Sequence, residues 1–249
     1  MDTVNTLLIR YGINPTAVSE DDKKHLKILR QDATSQNPQE FVAWLENLEK
    51  ESHLAVKNLV AGAEDYLSLL TKITNEIEAV LGNFPVKSIA FQVPSAKALT
   101  EKHVEWLTAL DTYRAQCATA SASLVERRGE PPIQRETELA LRHIALCESE
   151  KHPALVSQYE TMRQKFPLIR EKTERDRGQL LSLYTTLYQT LSEGCRQASA
   201  SLTAANKTKR PPADYYRNLQ TMLLELHTLS QAAKHLQKEA SHVQISDGL

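Results

Sequence analysis

The chain has 249 residues, of which 41% are hydrophobic and 24% charged, enough apolar material for one large core or two small ones. Lys plus Arg total 30 against 31 Asp plus Glu, so the surface as a whole is not tuned for nucleic acid, which is not an expected partner. Cys117, Cys147 and Cys195 are odd in number and widely spaced, which fits free thiols in a reducing compartment better than a disulfide framework.

Leu, Ala, Glu, Lys, Arg and Gln, all strong helix formers, dominate the chain, and glycine is sparse. A short helix is expected over 3–11, ending in Gly12-Ile13-Asn14-Pro15. The next starts after Ser19, whose hydroxyl can cap a first turn carrying Glu20, Asp21 and Asp22 against the positive end of the helix dipole. Asn37-Pro38 then reads as a cap and first turn for a helix over 38–81. Its seam, Phe41, Leu45, Leu48, Ser52, Ala55, Leu59, Gly62, Tyr66, Leu70, Ile73, Ile77 and Val80, alternates steps of mostly four and three, the spacing of a coiled coil. Trp44, Val56, Val60, Leu67, Leu69 and Leu81 widen that seam beyond a two-stranded stripe, so a bundle is expected. At 1.5 Å per residue such a helix is about 65 Å long, too long for a compact globule.

Gly82-Asn83-Phe84-Pro85 stops it, and the following stretch to Pro94 is the one place that reads as a short extended or β-like tip. Further helices are expected over 95–128, 134–150, 154–166, 167–206 and 214–242, with Pro153 and Pro167 as kinks or breaks. The seam Ile169, Thr173, Asp176, Leu180, Tyr184, Leu187, Leu191, Cys195, Ala198, Leu202 and Ala205 repeats the heptad-like spacing, and Leu219, Leu223, Leu226, Leu229, Ala233 and Leu236 line the last helix. The expected fold is all-α: an elongated antiparallel helical bundle of coiled-coil-like long helices over 35–249, preceded by short helices over 1–34.

Residues 108–124 and 186–202 echo each other, with Thr108, Thr112, Cys117 and Ala120-Ser121-Ala122-Ser123-Leu124 recurring as Thr186, Thr190, Cys195 and Ala198-Ser199-Ala200-Ser201-Leu202. Each stretch runs into a basic cluster and a double proline. Two related helix–turn–helix units, or two helices independently selected for close packing, would both give this pattern. Either way Cys117 and Cys195 read as small buried residues, and Ser121 and Ser199 are expected in comparable packed environments.

Residues that could carry chemistry are few. There is no glycine-rich phosphate loop, no Gly-x-Ser-x-Gly elbow and no His-Glu-x-x-His, so no catalytic residue is assigned. A di-metal bundle wants two Glu-x-x-His pairs; Glu239 to His242, with His235 one turn earlier, is a single one, and Asp22 to His25 has the wrong acid. No metal and no cofactor are expected. The connector side chains Phe84, Val86, Ile89, Phe91 and Val93 are unusually apolar for a loop. They read as a cap on the core end or as a contact tip for a partner or membrane. Arg127 and Arg128, with Lys207, Lys209 and Arg210, sit at helix C-termini, where they complement the dipole. If the two hairpins align, they form one basic pole facing an acidic partner or anionic lipid.

Taken together, the expectation is a non-enzymatic interaction or assembly protein with a protein partner or a second copy of itself. The alternative is a membrane-active helical protein using the 84–94 tip. The first residues show no basic stretch followed by an apolar one, and no apolar run approaches the roughly 20 residues that span a bilayer. A cytoplasmic location is expected, with export that needs no cleaved signal left open.

Overall fold

The computed structural model describes residues 3–35, 38–81, 96–127, 132–210 and 212–242. Within them the chain is all-α: α1 (Val4–Arg10), a 3-10 turn (Pro15–Ala17), α2 (Glu20–Thr34), α3 (Gln39–Leu81), α4 (Ala96–Glu126), α5 (Pro132–Ser149), α6 (Pro153–Thr208) and α7 (Ala213–Ser241). No strand occurs among the described residues. The segment expected as an extended tip, 84–94, lies outside them.

Local chemistry starts and stops these helices as the sequence suggests. The Ser19 hydroxyl accepts from the Asp22 amide at 3.1 Å and donates to the Asp22 carboxylate at 2.7 Å, closing the first turn of α2. Gly12, at φ +73°, turns the chain left-handed after α1, where a side chain would be strained. Glu150 and Lys209 take the same left-handed conformation beyond α5 and α6 without being glycine.

Pro153 is the first residue of α6, where a missing N–H is no loss. Pro167 does not break the helix as expected: the helices placed at 154–166 and 167–206 are one, with Pro167 inside. Its ring leaves the Arg163 carbonyl without its usual donor, a cost of about 3 kcal/mol for an interior proline. Buried Tyr159, Met162 and Phe166 on one side and Thr173 on the other pin the backbone through it.

Two compact units form, residues 1–56 with 129–174 and residues 57–128 with 175–249. The division falls inside α3 and α6. Unit 1 joins α1, α2, α5, the start of α3 and the start of α6 around Leu7, Leu8, Leu26, Leu29, Phe41, Ile144, Tyr159 and Phe166. The Tyr159 hydroxyl donates to the Phe41 carbonyl at 2.8 Å, and Trp44 stacks on the Tyr159 ring. Arg142, buried, lies 4.8 Å from the Trp44 ring centre and 5.5 Å from that of Phe41 while its Nε donates to Glu138 at 2.8 Å.

Unit 2 packs the end of α3 with α4, the end of α6 and α7 around Tyr66, Ile73, Ile77, Leu110, Leu187, Leu191, Tyr215 and Leu219. α4 runs antiparallel to α6, since Asn206 donates to Thr100 at 2.9 Å while Arg177 donates to the Arg127 carbonyl at 2.7 Å. α7 is antiparallel to α6 as well, with Asn218 donating to Ser201 at 2.8 Å and Met222 lying against Gly194. Gly62 leaves room for the Leu180 side chain of α6 against α3, because a Cβ there would stand 2.8 Å from its Cδ2.

The echo does not describe two repeated hairpins. The helix that follows its first copy, α5, belongs to unit 1, whereas α7, which follows the second, belongs to unit 2. What the two copies share is burial: Cys117 and Cys195 both lie in the unit 2 core, and Ser121 and Ser199 are both half-buried. Small residues at these positions let α4 and α6 serve one core.

Candidate functional site

Of the contact residues expected from sequence, Phe84, Val86, Ile89, Phe91 and Val93 lie outside the described residues, as does Arg128. Arg127, Lys207, Lys209 and Arg210 are exposed but do not form one pole. Because α4 and α6 are antiparallel, Arg127 sits beside Arg177 while Lys207 follows Asn206 beside Thr100. Those two ends are about 40 Å apart along α4 at 1.5 Å per residue. In α6, Arg163 and Arg170 reach α5: Arg163 meets His143 at 2.9 Å and Arg170 meets Glu136 at 3.3 Å.

A concavity with an apolar floor lies in unit 2 between α3 and α7, with a volume of about 690 Å³. Buried Leu70 and Leu226 form its floor, half-buried Leu223 its wall, and Leu224, 71% exposed, its rim. Glu78 on α3 and His227 on α7 supply charge and polarity at its edge. The helices are antiparallel here, since Gln237 donates to Glu64 at 3.1 Å while residues 220–230 face 70–78. The seam of α7 sends Leu219 and Leu226 inward and leaves Leu223 and Leu224 on the shoulder, which is how one amphipathic helix serves a core and a surface.

A second groove, in unit 1, has a volume of about 880 Å³ and is lined by Lys23, Lys24, Lys27 and Arg30 of α2 with Glu20 and Glu148. Much of its charge is already matched: Lys23 meets Glu20 at 2.7 Å, Lys24 meets Asp21 at 3.0 Å and Arg30 meets Glu148 at 3.7 Å.

Two buried histidines were not singled out by sequence reasoning. His103 follows Leu99 by four residues and precedes Trp106 and Leu110 by three and seven, so its place on the apolar face of α4 was readable. Its Nδ1 lies 3.1 Å from the Tyr215 hydroxyl and its Nε2 2.9 Å from that of Ser199. Burial lowers its pKa below the ordinary imidazole value.

His143, on α5, is 5% exposed. Arg163 Nη1 lies 2.9 Å from its Nδ1, and Cys147 Sγ lies 3.5 Å from its Nε2. A guanidinium can only donate, so Nδ1 is the acceptor and Nε2 carries the hydrogen, with the sulfur beside the ring at 4.0 Å from Nδ1 and 3.5 Å from Nε2. That is the wrong way round for a histidine activating a thiol, which needs a free lone pair facing the sulfur. Burial also pushes the Cys147 thiol pKa up, and it pushes those of Cys117 and Cys195 up to about 11. Cys117 and Cys195 lie buried in the unit 2 core, while Cys147 is half-buried.

Among the described residues, no group of three His, Cys, Asp or Glu is placed to hold a metal ion, and His235, Glu239 and His242 stand exposed along α7. Among the same residues no helix is long and apolar enough to cross a membrane. The chain matches no protein-family model, no curated protein and no solved structure.

Proposed function

We propose that this chain is a non-enzymatic interaction or assembly protein that presents long helices to a protein partner or to copies of itself. The observation that carries the reading is the α3–α7 groove, where an exposed leucine stands beside an apolar floor between two packed helices. Such a groove suits an amphipathic helix, whose apolar face would cover Leu224 and sit over Leu70 and Leu226. Covering one exposed leucine contributes about 1.5–3 kcal/mol, enough to serve as an anchor but not to hold a complex alone.

Leu224→Asp tests it. With far-UV circular dichroism unchanged, sedimentation velocity over a concentration series is expected to show self-association, or a complex with a helical partner, that the substitution removes. Identical sedimentation and identical partner recovery for the two proteins would count against the groove.

A further inference from the structure

We propose that His143 is an acid-responsive latch in unit 1: neutral, it ties α5 to α6, and on taking up a proton it releases them. The geometry makes the neutral form obligatory. Arg163 donates to Nδ1 over 2.9 Å, so that nitrogen must keep its lone pair. A proton arriving there displaces the guanidinium hydrogen, removes this bond between α5 and α6 while the Arg170–Glu136 pair remains, and sets two cations against each other in a buried place.

The groups facing this ring come from three elements. α6 supplies Arg163, which opposes a second positive charge, and Glu160, which favours one. α5 itself supplies Cys147, at 3.5 Å from Nε2. From the end of α1 comes Tyr11, its ring edge-on to the imidazole at 6.4 Å and its hydroxyl engaged with Glu148 at 2.9 Å. Burial and Arg163 outweigh Glu160, and the His143 pKa lies below its ordinary 6.5.

His103 in unit 2 makes the contrast. Both of its partners are hydroxyls, and a hydroxyl can turn a lone pair toward an imidazolium. There, burial alone opposes the proton. Each unit thus holds one buried neutral histidine, but only unit 1 has a fixed donor that must be expelled. The sign follows from linkage: a base whose folded pKa is depressed leaves stability intact above about pH 6.5 and removes it as the pH falls further. Unit 1 opens first, uncovering the apolar faces of α1, α2 and α5.

The tryptophans report the two units separately, Trp44 packing on the unit 1 core and Trp106 lying within that of unit 2. Emission maxima are to be followed from about pH 7.5 to about pH 5, the range in which imidazole titrates, in Trp106→Phe, which leaves Trp44, and in Trp44→Phe, which leaves Trp106. The Trp44 signal is expected to shift red in this window while that of Trp106 holds. His143→Gln, whose carbonyl can accept from Arg163 and whose amide can donate to Cys147 without titrating, is expected to abolish the shift. Arg163→Gln is expected to move it to lower pH, and His103→Gln to leave it in place. An unchanged midpoint in His143→Gln, or Trp106 shifting first, would overturn the latch. Should His143→Gln fail to fold at neutral pH, hydrogen exchange of the unaltered protein decides: faster exchange in α5 than in α4 on acidification is expected, and equal protection at both pH values contradicts it.

Discussion

Arg142 shows how a single residue can be costly and still fixed in place. It is buried, sits over Trp44 and Phe41, and has Glu138 as an acid partner at 2.8 Å, yet its Nη1 finds no hydrogen bond. Removing the partner should therefore hurt more than removing the charge. Arg142→Met keeps the hydrocarbon stem against the rings and should cost less than about 1 kcal/mol. Glu138→Ala leaves a buried guanidinium with one fewer acceptor and should cost about 1–3 kcal/mol. Urea unfolding followed by Trp44 emission checks the order, and equal losses would mean that the aromatic contacts alone hold Arg142. The same logic separates the histidines, since the partner decides what a buried side chain can tolerate. Sequence offers the burial of such residues through their spacing, as for His103 between Leu99 and Trp106, but not the identity of a partner such as Arg163, twenty residues from His143.

At the scale of elements, the seams were legible. Leu180, Tyr184, Leu187, Leu191, Cys195, Ala198, Leu202 and Ala205 are all buried, as the heptad-like spacing requires. Pro167, expected as a kink or a break, lies inside one helix, because local propensity counts the lost hydrogen bond while packing of Phe166 and Met162 offsets it. Pro167→Ala should restore an amide donor to the Arg163 carbonyl and raise the stability of unit 1 by about 1–3 kcal/mol, read as a higher urea midpoint. Loss of stability instead would mean that the proline ring itself, which is half-buried, packs better than the hydrogen bond is worth.

For the whole molecule, all-α architecture was readable from composition and period, whereas the division into two cores was not drawn from either. An unbroken helical pattern does not say which core each turn serves. A signal was present nonetheless. Both long seams turn small or polar near the changeover, with Ser52 and Ala55 on α3 and Thr173 and Asp176 on α6, and three of these four are buried polar residues. Ser52 satisfies itself on the Leu48 carbonyl and Thr173 on that of Ile169, so neither needs a polar partner from another helix. The candidate groove was half legible: Leu223 was placed inward with Leu226, while Leu224, its exposed neighbour, went unnoticed because it lies off the seam.

The interaction reading is tested most directly by photo-crosslinking. A photoreactive residue is placed at Leu224, on the groove rim, or at Lys234, exposed further along α7, in otherwise unaltered protein. Protein adducts concentrated at position 224, identified as a second copy or as a helical partner and suppressed by a bulky Thr74→Arg substitution across the groove, are the predicted result. Adducts equally frequent at 224 and 234, or none at 224, would contradict it.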